Sequence, residues 1–226
     1  MPFALGFVFL WLAPPIQKEI LLALKDVLHR ADMFSSHQVT REPLSLRERK
    51  VGIIGLGRIG KAIAKRAALG FGMNVVFFNR SQVPDPGVEA RQLGSIAEVA
   101  KAADVLVVAV PANPETHHLM NAEVFAAMKP TAHFINIARG EVVDEAALIA
   151  ALQAGEIAGA GLDVTDPEPM PADHPLLALP NVVVLPHIGS ASVATRTKMA
   201  QMAADNLIAG LRGDRLPNCV NPQVYG

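Results

Sequence analysis

From Lys50 to Leu185 the chain alternates short apolar, mostly β-branched runs with Ala-rich stretches of helical spacing. The runs are Val51–Ile54, Val75–Phe78, Val105–Val110 and Phe134–Ile137, each followed by a helical stretch, at 59–70, 95–102, 121–128 and 144–153. Apolar strands at 157–164 and 182–185 and a final helix over 191–211 complete the series. A strand with one wet face alternates apolar and polar residues, whereas a near-continuous apolar run needs cover on both faces. Strands of that kind, separated by helices, predict a doubly wound α/β fold with a parallel sheet.

The segment before this alternation reads differently. Apolar residues at 16, 20, 21, 24, 27 and 28 recur at helical spacing after Pro15, which predicts a helix from Ile16 to about Arg30. Residues 31–49 are polar and aperiodic and read as a connecting loop. The organisation expected is therefore an N-terminal helix and linker over 1–49, a dinucleotide-binding domain over 50–212 and a tail over 213–226. The first fifteen residues are apolar but lack a basic start, and Pro14-Pro15 is a poor cleavage context, so they read as a strand or buried end, with a signal sequence as the minor alternative. They are also too few to span a bilayer.

The 20 basic and 21 acidic side chains balance, which favours neither nucleic acid nor an anionic membrane as partner and leaves small molecules. Only 18% of residues are charged and the mean hydropathy is positive, so much surface is expected inside the fold or against a second copy of the chain, a homodimer. The single cysteine, Cys219, excludes an internal disulfide framework and fits a cytoplasmic protein.

Within the series, "VGIIGLGRIG" places Gly55, Gly57 and Gly60 immediately after a strand and at the opening of a helix. G-x-G-x-x-G is weak alone and strong there: one glycine permits the turn, one lets backbone approach a pyrophosphate, and one allows close helix–strand packing. The helix N-terminus adds unpaired N–H groups and a positive dipole. This is the Rossmann dinucleotide-binding arrangement. An NAD site would carry an acid at the end of the second strand, but "VVFFNRS" has Asn79, followed by Arg80 and Ser81. A guanidinium and a hydroxyl suit a 2′-phosphate, so NADP is expected in preference to NAD. A solvated surface role for Arg80 is the bland alternative.

Three polar residues follow three later strands. Arg139 closes "FINIARG", Glu168 lies in "GLDVTDPEP" and His187 closes "VVVLPHIG". In an open α/β sheet ligands sit at those strand ends, so the three residues are candidates for one site. His187 alone could be a structural hydrogen-bonder, Glu168 a loop charge, and Asp166 competes with Glu168 for its part. His117, His118, His133 and His174 read as loop or helix-start residues, and no cluster has metal-ligand spacing.

On "VGIIGLGRIGKAIAKR", "INIARGEVVDEAAL", "GAGLDVTDPEPMPADHPLL", "LPNVVVLPHIGSAS" and "NLIAGLRG" the chain resembles the D-isomer-specific 2-hydroxyacid dehydrogenases, in particular their glyoxylate/hydroxypyruvate reductase branch, over roughly residues 44–222. The resemblance implies reduction of a small 2-oxo acid to the D-2-hydroxy acid. It makes Arg139 the ligand of the substrate carboxylate and carbonyl, His187 the general acid–base and Glu168 its support. It also puts Asp163 near the nicotinamide carboxamide and Val110 and Pro111 along the cofactor, with Arg58, Ile59 and Gly189 among the cofactor contacts. The chemistry needs those residue types independently: a carbonyl that accepts a hydride needs a proton donor, which imidazole supplies, and a carboxylate on the other ring nitrogen fixes the tautomer.

Members of that family begin with a substrate lobe preceding the glycine loop by more chain than the 54 residues here, and no glycine-rich substrate loop precedes Gly55. The substrate lobe is thus expected to be largely absent, and turnover by these 226 residues to be poor. The other function class that fits is a non-catalytic NAD(P)-binding sensor or interaction module.

Overall fold

In the computed structural model the described residues are 46–225. The helix expected over 16–30, most of the linker and the apolar first fifteen residues lie outside them. The order of elements is β1 (Lys50–Ile54), α1 (Arg58–Phe71), β2 (Asn74–Phe78), β3 (Ala90–Gln92), α2 (Ile96–Ala102), β4 (Val105–Val108), α3 (Ala122–Ala127), β5 (His133–Asn136), α4 (Glu145–Ala154), β6 (Gly159–Leu162), α5 (Pro175–Ala178), β7 (Val182–Val184) and α6 (Val193–Arg212). A short 3-10 turn, Gly140–Val142, joins β5 to α4. These residues form two compact units, divided between Gly189 and Ser190.

The first unit contains a seven-stranded sheet in the order β3-β2-β1-β4-β5-β6-β7, parallel throughout. Its central strands are apolar nearly throughout because alternate residues enter different cores. From β1 and β4, Val51, Ile53, Val105 and Val107 join Ile63, Ala64 and Ala67 of α1. Ile54, Leu106 and Val108 join Val99 of α2, Phe125 of α3 and Leu148 of α4 on the other face. Residues 60, 63, 64 and 67 of α1 are the buried ones, the spacing of a single helical stripe. Phe125 meets Phe134 edge to face, 5.2 Å between centroids at 87°, and burying each ring is worth about 1.5–3 kcal/mol.

Among the described residues the expected strands and helices form within one or two residues of their predicted limits. Two elements were not foreseen. β3, Ala-Arg-Gln, has no apolar run and exists by pairing with Val75–Phe77 of β2. The single-turn α5 begins after His174 with Pro175 in its first turn. In the second unit, α6 starts at Ser192, whose hydroxyl accepts from Thr195 N at 3.0 Å. The tail returns to that helix, with Asn218 N donating to Asn206 Oδ1 at 2.9 Å, and closes on itself where Leu216 N donates to the Tyr225 hydroxyl at 3.0 Å. Among the described residues no helix is long and apolar enough to cross a membrane.

Candidate active site

The reversal of strand order falls between β1 and β4, where the chain runs outward from the sheet in both directions. A cavity of about 260 Å³ opens there, at the carboxyl ends of β1, β2 and β4. Its lining includes Gly55, Gly57, Asn79, Arg80, Ser81, Val110 and Pro111, seven of the positions expected from sequence to touch a dinucleotide. Arg58, Ile59 and Gly60 form the first turn of α1 beside it.

The glycines have distinct physical reasons. Gly55 has φ +93°, and a Cβ there would stand 2.7 Å from Ala109 O. At Gly60 a Cβ would stand 2.2 Å from Gly55 O, so the helix seats directly on the loop. Gly57 has nothing within 4 Å of a notional Cβ and faces open space. The N-termini of α2, α3, α4 and α6 are capped by Ser95, Asn121, Asp144 and Ser192, whereas no side chain caps α1 and no acid lies in its first turn. Its N–H groups and dipole therefore remain for an anion, which a bound pyrophosphate would supply. The residues present fit a dinucleotide.

Asn79 does more than replace an acid. Its Oδ1 accepts from Leu56 N in the glycine loop at 3.3 Å, and its Nδ2 donates to Ser81 O and Oγ at 3.1 and 3.2 Å. Gln92 of β3, which sequence reasoning missed, completes the frame: its Nε2 donates to Asn79 O and Ser81 O at 3.1 and 3.0 Å, and its Oε1 accepts from Val83 N at 3.1 Å. No sequence signal marks this glutamine.

The three catalytic candidates follow β5, β6 and β7. His187 Nδ1 and Glu168 Oε1 are 2.7 Å apart, so with an ionised carboxylate the proton is assigned to Nδ1, and Nε2 takes no part in the pair. Both side chains are about two-fifths exposed. Of the two loop acids, Glu168 is the one paired with His187. His187 sits at φ +53°, a conformation that costs a non-glycine residue about 1–3 kcal/mol unless its surroundings hold it.

Asp163 supplies the hold. Its carboxylate, on a residue only 4% exposed, accepts from Ile188 N at 2.8 Å and Gly189 N at 3.0 Å. These are the two amides immediately after His187, so Asp163 clamps the turn that presents the imidazole. Burial pushes the Asp163 carboxyl above its usual value, and nearby Glu168 adds to this, against the lowering by the two amides and His187.

Arg139 is exposed at the turn after β5, where its guanidinium donates to Ala138 O at 2.6 Å and enters no ion pair among the described residues. Buried Asn136 shapes that turn, donating to Arg139 O and accepting from Ala138 N, each at 2.9 Å. Asn136 escaped sequence reasoning, although an amide inside the apolar "FINI" was a visible flag. The next residue, Gly140, packs on the backbone of Thr165 and Asp166. The arginine turn and the loop bearing Glu168 are therefore neighbours, although among the described residues no hydrogen bond or ion pair joins the Arg139 guanidinium to the His187–Glu168 pair.

His174 has a fixed role of its own. Its Nε2 lies 2.9 Å from Glu145 Oε1 and its Nδ1 accepts from Leu176 N at 3.3 Å, tying the Pro-rich loop to α4. Burial raises the Glu145 carboxyl, partly offset by His174 and reinforced by Asp166. His117 and His118 stack on each other, 3.9 Å between centroids, and are exposed. Among the described residues no group of three or more metal-ligating side chains converges.

A parallel sheet with an uncapped, glycine-lined helix start at its switch point, and a histidine–carboxylate pair with an arginine beyond neighbouring strands, defines a dinucleotide-binding domain of the dehydrogenase class. Residues 18–189 match the family described as D-isomer specific 2-hydroxyacid dehydrogenase, NAD binding domain. The chain belongs to that family. It is 54% identical over 176 residues to glyoxylate/hydroxypyruvate reductase B of Escherichia fergusonii, covering 77% of this chain and 54% of that protein. Against the corresponding protein of Enterobacter agglomerans it is 48% identical over 184 residues, covering 80% of this chain and 56% of the relative. Among solved structures, the NADPH-dependent glyoxylate/hydroxypyruvate reductase of Sinorhizobium meliloti in complex with NADP and malonate superposes with a TM-score of 0.76 at 40% identity, covering 92% of this chain and 62% of that one. The TT0316 protein of Thermus thermophilus gives a TM-score of 0.81 at 42% identity, covering 97% and 67%. The chain spans about half the length of the curated relatives it matches.

Proposed function

We propose that this chain carries the cofactor-binding and acid–base machinery of an NADP-preferring reductase that converts a small 2-oxo acid of the glyoxylate or hydroxypyruvate type to its D-2-hydroxy acid. The observation that carries the reading is the 2.7 Å pairing of His187 Nδ1 with Glu168 Oε1 at the strand ends of a dinucleotide domain. The chemistry a nicotinamide held in the cavity would supply is a hydride for the carbonyl carbon. His187 delivers a proton from Nε2 to the carbonyl oxygen, so that one hydride and one proton reduce C=O to CH–OH. Glu168 holds the ring by Nδ1 and fixes its tautomer and orientation. Asp163 fixes the turn beneath it through Ile188 N and Gly189 N. Arg139 offers its planar guanidinium to the substrate carboxylate and carbonyl.

The NADP preference is supported by Asn79, Arg80 and Ser81 at the end of β2, where an NAD site would carry an acid, and by the NADP bound in the structure of the Sinorhizobium relative. The low charged fraction, positive mean hydropathy and single cysteine support a cytoplasmic homodimer. The test follows NADPH oxidation by the full chain with glyoxylate or hydroxypyruvate beside His187→Ala. The expected ratio of rates is about 10²–10⁴, with NADPH affinity little changed. Even a slow wild-type rate decides the matter, because the comparison is a ratio. Equal rates refute the assignment, and NADPH binding without His187-dependent turnover leaves a non-catalytic binding module.

A further inference from the structure

Arg80 is paired. Its guanidinium meets the carboxylate of Glu115 from the loop after β4, and both residues line the dinucleotide cavity. The side chains are about three-quarters exposed, so the pair contributes little to stability. Its supports, however, are braced on both sides. On the Arg80 side, Gln92 and Asn79 tie the backbone of 79–83 through the hydrogen bonds described above. On the Glu115 side, Glu115 N donates to Asn113 Oδ1 at 2.9 Å, while the Thr116 hydroxyl donates to Pro111 O at 2.8 Å and accepts from Asn113 N at 2.9 Å. His118 N donates to Glu141 O at 2.9 Å and pins the far end of that loop. Two braced loops thus hold opposite charges against each other at the cavity.

The consequence differs for the two cofactors. A 2′-phosphate needs the Arg80 guanidinium as its counter-charge, so it must take the place of the Glu115 carboxylate and then lie beside it. A 2′-hydroxyl does neither. We propose that Glu115 is a specificity-determining residue that competes with the cofactor's 2′-phosphate for Arg80 and so limits the preference for NADPH over NADH. The inference rests on the NADP reading of Arg80 and Ser81. Displacement of an exposed pair and the repulsion of a carboxylate from a multiply charged phosphate together predict an effect of roughly 3- to 10-fold at low salt. Screening should shrink it as salt rises.

The experiment measures dissociation constants of NADPH and NADH for the full chain by nicotinamide fluorescence, in wild type, Glu115→Gln and Arg80→Ala, at low and at high salt. Glu115→Gln should move the affinity ratio toward NADPH by roughly 3- to 10-fold at low salt and by less at high salt. Arg80→Ala should move it toward NADH. If Arg80→Ala leaves the ratio unchanged, the NADP reading itself fails. If Arg80→Ala behaves as expected but Glu115→Gln leaves the ratio unchanged, shifts both affinities equally or moves the ratio toward NADH, Glu115 is not a competitor and the proposal is overturned.

Discussion

Replacing Gly60 by alanine should separate the glycine loop from the helix it carries. The new Cβ would lie 2.2 Å from Gly55 O and 3.2 Å from Gly55 C, against backbone that cannot rotate aside. Ordinary contact needs roughly 1 Å more, so the first turn of α1 and the loop must part. Overpacking of this kind costs about 1–3 kcal/mol, the upper end applying where the obstacle is main chain. Alanine returns up to about 1 kcal/mol as the better helix former. The net loss is about 1–2 kcal/mol, which for a chain of this size lowers Tm by roughly 2–8 °C. Because Gly55 and the α1 amides would move together, NADPH affinity should also fall at least about tenfold. Gly57→Ala is the counterpart: nothing lies within 4 Å of its Cβ, so stability should change by at most about 1 kcal/mol, from the weaker N-cap. Its methyl would still occupy the side from which a pyrophosphate approaches, so binding should weaken while Tm holds. Thermal denaturation and NADPH titration of both variants give the comparison. A Gly60→Ala protein that melts and binds like wild type, or a Gly57→Ala protein that melts as low as Gly60→Ala, refutes this account of the loop.

Asp163→Asn leaves one oxygen for two amides and sets a donor against Ile188 N or Gly189 N, so urea denaturation should show a loss of about 1–3 kcal/mol, with slower turnover as the His187 turn loosens. An unchanged urea midpoint sinks that reading. Arg139→Ala should raise KM for the 2-oxo acid about 10- to 100-fold and leave NADPH affinity nearly unmoved, since a charged hydrogen-bond partner is removed from the substrate alone. Asp104 offers a pH test. Burial raises its carboxyl, but the Lys129 ammonium at 2.8 Å, Lys50 N and Arg49 outweigh burial and hold it below the usual value. A depressed carboxyl stabilises the fold above its unfolded value of about 3.9, and that contribution is lost as pH falls through the folded one. Urea midpoints below about pH 4 should therefore fall more steeply for wild type than for Asp104→Asn. Asp163 and Glu145, both raised, act in the opposite sense, favouring the fold at low pH and losing that contribution as pH rises through their folded values.

The series of strands and helices was legible because a sheet covered on both faces demands continuous apolar runs, and Val51–Ile54 and Val105–Val108 supply them. The glycine loop was legible because its constraint is local: Gly60 must pass Gly55 five residues earlier in the chain. Glu168 and His187 could be named from the motifs they stand in, but their pairing joins positions nineteen residues apart. β3 was not legible, since a three-residue polar strand has no periodicity of its own and forms only where β2 offers a free edge.

The sequence by itself determined the doubly wound sheet, the turn that opens α1 and the positions of the candidates Arg139, Glu168 and His187 after three successive strands, because these depend on local pattern and backbone conformation. Only the tertiary structure decided that Asp163 clamps the His187 turn, that Gln92 frames Asn79 and Ser81, and that Glu115 holds Arg80. The separations explain it: those partners stand 25, 13 and 35 positions apart in the chain. Hydrogen bonds and ion pairs of that reach carry no periodic signature, and they exist because a parallel sheet delivers the ends of successive strands to one edge.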